Sequence, residues 1–259
     1  MSTQAPSSLS PWPYPRWIAH RGAGQRAPEN TLAAFRLGAQ LGYRMFECDA
    51  KLSADGVAML MHDATLERTT NGKGLASAQS WGVLSQLDAG AWHSNFYAGE
   101  PPCTLIALMQ FCIEQELDLN IEIKPTPGAD ALTARTIGWL VLQCWPGGER
   151  SWPFLTSFST QALKALRVVA PQLPCGLLVD EIHSDADWIE PAIALGCQAL
   201  VLNAALWTPQ RLAVARRAGL HALCYTVNDA QQAQQLLDMG LDAIITDTLL
   251  PQGNDASGG

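Results

Sequence analysis

The chain has 259 residues, of which 48% are apolar and 15% charged, so it is a globular chain and not a disordered one. A net charge of -8 argues against a general binder of nucleic acid or anionic membrane, while leaving room for a local cationic site for a small anion. No stretch approaches the ~20 apolar residues of a membrane span, and residues 1–15, rich in Ser and Pro, lack the basic start and apolar run of a signal peptide. The seven cysteines are scattered, odd in number and without a CxxC pair. They read as reduced core residues of a cytoplasmic protein rather than a disulfide framework.

In chain order, strand-like runs begin near residues 17, 44, 119, 153, 175, 198, 221 and 243. Helical patterns separate most of them, over 29–41, 104–116, 129–144, 161–169, 186–195, 209–218 and 229–239. Gly42, Gly196, Gly219 and Gly240 follow four of these helices as stop signals. The last five strands recur roughly every 22–23 residues. Eight strands alternating with helices predict an α/β fold, a (β/α)8 TIM barrel. A doubly wound open sheet is the alternative, but no Gly-x-Gly-x-x-Gly follows the first strand. One catalytic domain is expected over 16–250, with 1–15 and 251–259 as flexible termini.

One segment breaks the alternation. Ser53-Ala54-Asp55-Gly56 is turn chemistry, and residues 57–61 form a further strand with no helix before it, so a hairpin is expected. A tip at 53–56 brings His62 roughly opposite Glu47. From 65 to 102 neither period is clean, which suggests an inserted loop or small subdomain on the rim.

Two strands carry charge where apolar residues are the rule. Side chains two apart share a face, so Glu47 and Asp49 point together, as do Glu122 and Lys124. Buried carboxylates are costly unless positive charge sits beside them, which implies a metal ion, a bound anion, or both. Glu47, Asp49 and Glu122 make an all-oxygen set suited to Mg2+ or Ca2+. Chemistry in such barrels occurs at the carboxyl ends of the strands. His20, Arg21 and Gly22 end the first strand, His62 and Asp63 end the hairpin, and Ser157-Phe158 and Tyr225 to Asn228 end later ones. His20 and His62 are candidate proton donors or acceptors. Arg21 and Lys124 either pair with the carboxylates alone or also recognise phosphate. His93, His183 and His221 look ordinary, and Asn71-Gly72-Lys73-Gly74 lacks the spacing of a phosphate loop.

These residues carry a resemblance. Ala19-His20-Arg21-Gly22, Pro28-Glu29-Asn30-Thr31, Glu47-Cys48-Asp49, Leu52 to Gly56, His62 to Gly72, Ile121 to Pro125, Ser157-Phe158, Tyr225 to Asn228 and Gly240 to Asp247 occur in order along nearly the whole chain. The chain resembles the glycerophosphodiester phosphodiesterases, in particular the short cytosolic bacterial type. That resemblance implies a TIM barrel with an insertion after the hairpin, here about 63–101. It implies a metal site of Glu47, Asp49 and Glu122, catalytic histidines His20 and His62, and phosphate contacts from Arg21 and Lys124. Tyr225 stands where the family often has tryptophan, so a tuned pocket is expected, and Phe158 and Tyr225 are candidates to pack the substrate's organic part.

The implied activity is metal-dependent hydrolysis of a small glycerophosphodiester, such as glycerophosphocholine or glycerophosphoethanolamine, to sn-glycerol 3-phosphate and an alcohol. One divalent cation is expected, Mg2+ in preference to Ca2+, and neither nucleic acid nor a membrane span. Two routes are open: direct attack by water, or attack by the glycerol 2-hydroxyl through a cyclic phosphate, which gains from proximity. A phospholipase D-like or lysophospholipid phosphodiesterase on the same barrel is the alternative, since Trp81, Trp92, Phe96 and Tyr97 could form an apolar rim. A non-catalytic barrel is the remaining reading, and it leaves the convergence of so many costly groups without a purpose.

Overall fold

Eight parallel strands close on themselves, each hydrogen-bonded to two neighbours around the ring. The computed structural model describes residues 9–248, apart from 149 and 185–187. The chain runs through β1 (Trp17–Ala19), α1 (Leu32–Gln40), β2 (Met45–Leu52), β3 (Ala58–Leu60), α2 (Trp81–Leu84), α3 (Leu105–Glu114), β4 (Asp118–Ile123) and α4 (Asp130–Cys144). It continues through β5 (Phe154–Ser157), α5 (Thr160–Val169), β6 (Cys175–Val179), α6 (Ile189–Ala194), β7 (Ala199–Asn203), α7 (Pro209–Arg217), β8 (His221–Tyr225), α8 (Ala230–Met239) and β9 (Ala243–Thr246). Because β1 pairs with both β2 and β9, the sheet is a closed barrel and the open-sheet alternative falls away. Residues 1–8 of the expected flexible amino terminus, the whole segment 251–259, and residues 186–187 of the helix expected over 186–195 lie outside the described residues.

Local chemistry starts most helices. The side chains of Thr31, Thr104, Ser159, Thr208 and Asp229 each accept a hydrogen bond from a backbone N–H in the first turn. On β2 the alternation sends Phe46, Cys48 and Ala50 outward into the apolar layer between sheet and helices. The inward face is divided by height. Ile18, Met45, Phe154, Val201, Leu223 and Ala243 fill the lower barrel, with Trp12 and Tyr14 packed against them from below. Each of these side chains larger than alanine contributes about 1.5–3 kcal/mol by leaving water. The polar inner residues sit above this plug, at the carboxyl ends.

The hairpin is antiparallel, with Ala50 opposite Leu60 and Leu52 opposite Ala58. Its last bond runs from the Met61 N–H to the Asp49 carbonyl. That bond continues the same register past the named pairs, and His62 follows it onto the cavity that Glu47 also lines, roughly as the turn position suggests. The rim segment that follows holds α2 and its own small core of Met59, Met61, Leu66, Ala76 and Leu84. Asp88 ties it together by accepting from the N–H groups of Gly90, Ala91 and Gly99 at 2.8, 2.9 and 2.8 Å.

Candidate active site

Parallel pairing puts Asp49 of β2 directly beside Glu122 of β4, and Glu47 lies two residues below on the same face. Carboxylate oxygens of Glu47, Asp49 and Glu122 lie within 4.8 Å of one another. The three residues are 3%, 0% and 9% exposed, so they are crowded where water does little to separate their charges.

Asp49 is the best held. Lys124 Nζ donates to Asp49 Oδ1 at 3.1 Å and to Glu122 Oε1 at 3.0 Å. Asn30 Nδ2 donates to Asp49 Oδ2 at 2.8 Å, while the Asp49 N–H donates back to Asn30 Oδ1 at 3.2 Å. Arg21 Nε forms an ion pair with Asp49 Oδ2 at 3.1 Å. Both Arg21 and Asn30 adopt left-handed backbone, at φ 52° and 59°, and the Asn30 N–H donates to the Arg21 carbonyl at 3.0 Å. Such conformations cost on the order of 1 kcal/mol each and persist where the surroundings impose them. Gly22, at φ 104°, lets this loop press on α1, since a Cβ there would lie 2.7 Å from Ala34 Cβ.

Titration follows from this arrangement. Burial alone would raise the Asp49 carboxyl, but the charges of Lys124 and Arg21 outweigh it and hold it well below the usual range. Burial, then the charge of Asp49, pushes Glu47 well up, and Glu122 rises for the same two reasons. Glu47 Oε1 is buried with no hydrogen-bond partner. Three converging oxygen donors, one of them unpartnered, fit a hard divalent cation, whose charge would favour the ionised carboxylates.

The two histidines line the same cavity as this cluster and are held alike, each by an aspartate. His20 Nδ1 lies 2.5 Å from Asp247 Oδ1, and its Nε2 lies 3.7 Å from Glu47 Oε2. His62 Nδ1 lies 2.7 Å from Asp63 Oδ1. Asp63 and Asp247 are both shifted toward the ionised form, Asp63 by Arg68 and Asp247 by its bond to His20 against the cost of burial. An ionised carboxylate only accepts, so each imidazole carries its proton on Nδ1 and presents Nε2 to the site. Burial lowers both imidazoles. For His20 the Asp247 hydrogen bond and the Glu47 charge overturn that and raise it. For His62 the charge of Asp49 and the hydrogen bond to Asp63 do not suffice, and it stays lowered.

A cavity of about 180 Å3 opens onto this cluster, lined by His20, Arg21, Glu47, His62, Glu122 and Lys124 together with Phe158 and Tyr225. Asp49 lies sealed beneath it. Phe158 and Tyr225 meet edge to face at 5.8 Å on the opposite wall. The Tyr225 hydroxyl donates toward the Val179 carbonyl and Asp180 Oδ1, at 3.1 and 3.2 Å. All nine candidate residues from the sequence thus gather at one mouth. His221 lies at the other end of its strand, 3.4 Å from Asp242, and His183 is exposed.

Several further groups, most of them inside the motifs of the sequence, gain a role only from the structure. Asp247 and Asp63 orient the histidines. Glu29 joins Arg21 at 2.9 Å to Arg68 at 2.7 Å, and Arg68 Nε donates to Asp63 Oδ2 at 2.6 Å. Lys51 Nζ donates to the carbonyls of His62 and Asp63, fixing the loop that carries them. Burial brings the Lys51 ammonium down to about 8. Lys51 was visible in principle, because it continues the alternation of 47 and 49.

Known proteins match this architecture. Residues 20–250 match the model of the Glycerophosphoryl diester phosphodiesterase family. A glycerophosphodiester phosphodiesterase of Caldanaerobacter subterraneus subsp. tengcongensis is 30% identical over 237 residues, 89% of this chain and 93% of that one. A phosphodiesterase of Oleispira antarctica, solved with the product sn-glycerol-3-phosphate, superposes with a TM-score of 0.85 at 34% identity, covering 90% of this chain and 93% of that one. A glycerophosphodiester phosphodiesterase of Agrobacterium tumefaciens gives a TM-score of 0.73 at 27% identity, covering 90% and 96%. Among the described residues, no helix is long and apolar enough to cross a membrane.

Proposed function

The chain belongs to the glycerophosphoryl diester phosphodiesterase family and is a phosphodiester hydrolase; from that premise we propose that it cleaves small glycerophosphodiesters to sn-glycerol 3-phosphate and an alcohol at the site around Glu47, Asp49 and Glu122. The observation that carries this reading is that His20 and His62 line one cavity with the carboxylate cluster, each fixed through Nδ1 by its own aspartate. Such a pair suits proton transfer at both ends of one displacement.

When bound among Glu47, Asp49 and Glu122, a divalent cation, Mg2+ by preference and Ca2+ as the alternative, supplies Lewis-acid stabilisation of the charge on the phosphoryl oxygens. Arg21 and Lys124 bind the same non-bridging oxygens. His62, the lowered imidazole, is neutral near pH 7 and takes the proton from the attacking hydroxyl as the new P–O bond forms. That hydroxyl is water or the neighbouring glycerol 2-hydroxyl. His20, the raised imidazole, is the one favoured in its protonated form and gives its Nε2 proton to the leaving oxygen as the old P–O bond breaks. By the 2-hydroxyl route, water then attacks the cyclic phosphate and the bond from phosphorus to the glycerol 2-oxygen breaks, that oxygen regaining a proton; by either route one diester and one water are consumed, and one phosphomonoester and one alcohol are formed. Phe158 and Tyr225 pack the organic part. All seven cysteines are free thiols, which supports a cytoplasmic location, where Mg2+ is abundant.

The rim holds exposed Phe96, Val83 and Leu75, and these favour a second reading, a lipid diester such as lysophosphatidylcholine. A coupled assay for glycerol 3-phosphate, run on glycerophosphocholine, glycerophosphoethanolamine and glycerophosphoglycerol beside choline release from lysophosphatidylcholine, separates the two. Turnover of the deacylated diesters by a wide margin supports the proposal; turnover of the lysolipid alone replaces it with the second reading.

A further inference from the structure

A phosphodiester has two arms, and two cavities meet at the His20–Arg21 pair. The first is the barrel mouth of about 180 Å3 described above. The second, about 410 Å3, lies between the loop after β1 and the rim segment, and shares only His20 and Arg21 with the first. Its remaining walls include Gln25, Glu29, Arg68, Trp92, His93 and Asp247.

The two cavities differ in what they can hold. The smaller one is set among barrel strands, and Asn120, fully buried on β4, contributes an Nδ2 with no hydrogen-bond partner. A compact arm with hydroxyl groups satisfies such a donor, as glycerol would. The larger cavity is built by the rim segment rather than by the barrel. Trp92 is 40% exposed, its Nε1 is occupied by the Ala89 carbonyl at 2.8 Å, and its ring meets His93 edge to face at 5.7 Å. His93 is anchored in turn to the Gln25 carbonyl at 3.0 Å. A fixed, half-open aromatic ring beside the carboxylates of Glu29 and Asp247 suits a small polar or cationic alcohol.

We propose that this second cavity, with Trp92 as its apolar wall, receives the alcohol arm of the diester, while the glycerol arm occupies the barrel mouth. The inference rests on the function proposed above. It makes the rim segment the part of the chain that chooses among alcohols, and it puts the leaving oxygen on the side of His20 that faces Trp92.

sn-Glycerol 3-phosphate has no alcohol arm, so it reports on the barrel mouth alone. In Trp92→Ala, KM for glycerophosphocholine should rise about tenfold. Binding of sn-glycerol 3-phosphate, read by titration calorimetry and by competitive inhibition, should stay within about twofold of wild type, a limit set by the scatter of surface substitutions. Trp92→Phe keeps an aromatic wall and should restore most of the loss. Equal weakening of product and diester, or no change for any diester, overturns the proposal while the parent reading stands. A wild-type enzyme that turns over no glycerophosphodiester removes both.

Discussion

His20 and Asp247 are separated by 227 residues and joined by a 2.5 Å contact between Nδ1 and Oδ1. The contact closes the barrel's first strand onto the end of its last. It also raises the imidazole against the effect of burial, and so favours the protonated form of His20. As a proton donor, His20 is active below its raised value and is lost as pH rises through it. His62, as a proton acceptor, is lost as pH falls through its lowered value. The rate is therefore bell-shaped in pH, with a plateau between the two. Asp247→Asn removes the acceptor charge, lowers the His20 value, and should move the alkaline limb of kcat/KM to lower pH while the acid limb stays. A profile that keeps both limbs would show that Asp247 does not act through His20.

The two histidines are separable by leaving group. His20→Ala and His62→Ala should each reduce turnover of glycerophosphocholine by about 10²–10⁴. A p-nitrophenyl ester of glycerol 3-phosphate departs without a proton. It should recover most of the loss in the His20 variant and little of it in the His62 variant. The opposite pattern of recovery would exchange the acid and base assignments.

Crowding of three buried carboxylates predicts an inverse effect on stability and metal binding. The folded value of Glu47 is raised, so ionising it costs stability at any pH above its unfolded value. Glu47→Gln removes that cost and should raise the thermal midpoint of metal-stripped protein by about 2–4 °C. The same change should abolish the gain that wild type shows with Mg2+, about 2.7 kcal/mol at a hundredfold excess over Kd. A variant that is less stable without metal, yet still stabilised by it, contradicts the assignment of Glu47.

Arg21 reaches Glu29 and Asp49 at once, at 2.9 and 3.1 Å. Lysine is a single point charge and cannot keep both contacts while facing phosphate. Arg21→Lys should lower kcat/KM by about 10–100-fold at saturating metal, a loss that steady-state kinetics reads directly. Wild-type efficiency in this variant would reduce Arg21 to a partner of the carboxylates.

Periodicity made the barrel legible. The strand starts near 17, 44, 119 and 243 agree with β1, β2, β4 and β9 within two residues. The charged alternations at 47–49 and 122–124 were readable for the same reason, because a strand fixes which side chains share a face. Groups delivered by loops were not. Asp63, Glu29 and Arg68 form one chain of charge spanning 39 residues of sequence, and nothing local to any of them announces the other two. His93 looked ordinary because its partner, the Gln25 carbonyl, is a backbone atom 68 residues away.

One reaction is central: cleavage of a glycerophosphodiester that depends on a cation held by Glu47, Asp49 and Glu122. Phosphorus NMR of metal-stripped protein with glycerophosphocholine tests it directly, before and after Mg2+ is restored. The diester resonance should persist without metal and be replaced by that of sn-glycerol 3-phosphate once Mg2+ is added. Equal conversion with and without metal, or no conversion with Mg2+ or Ca2+, would contradict it.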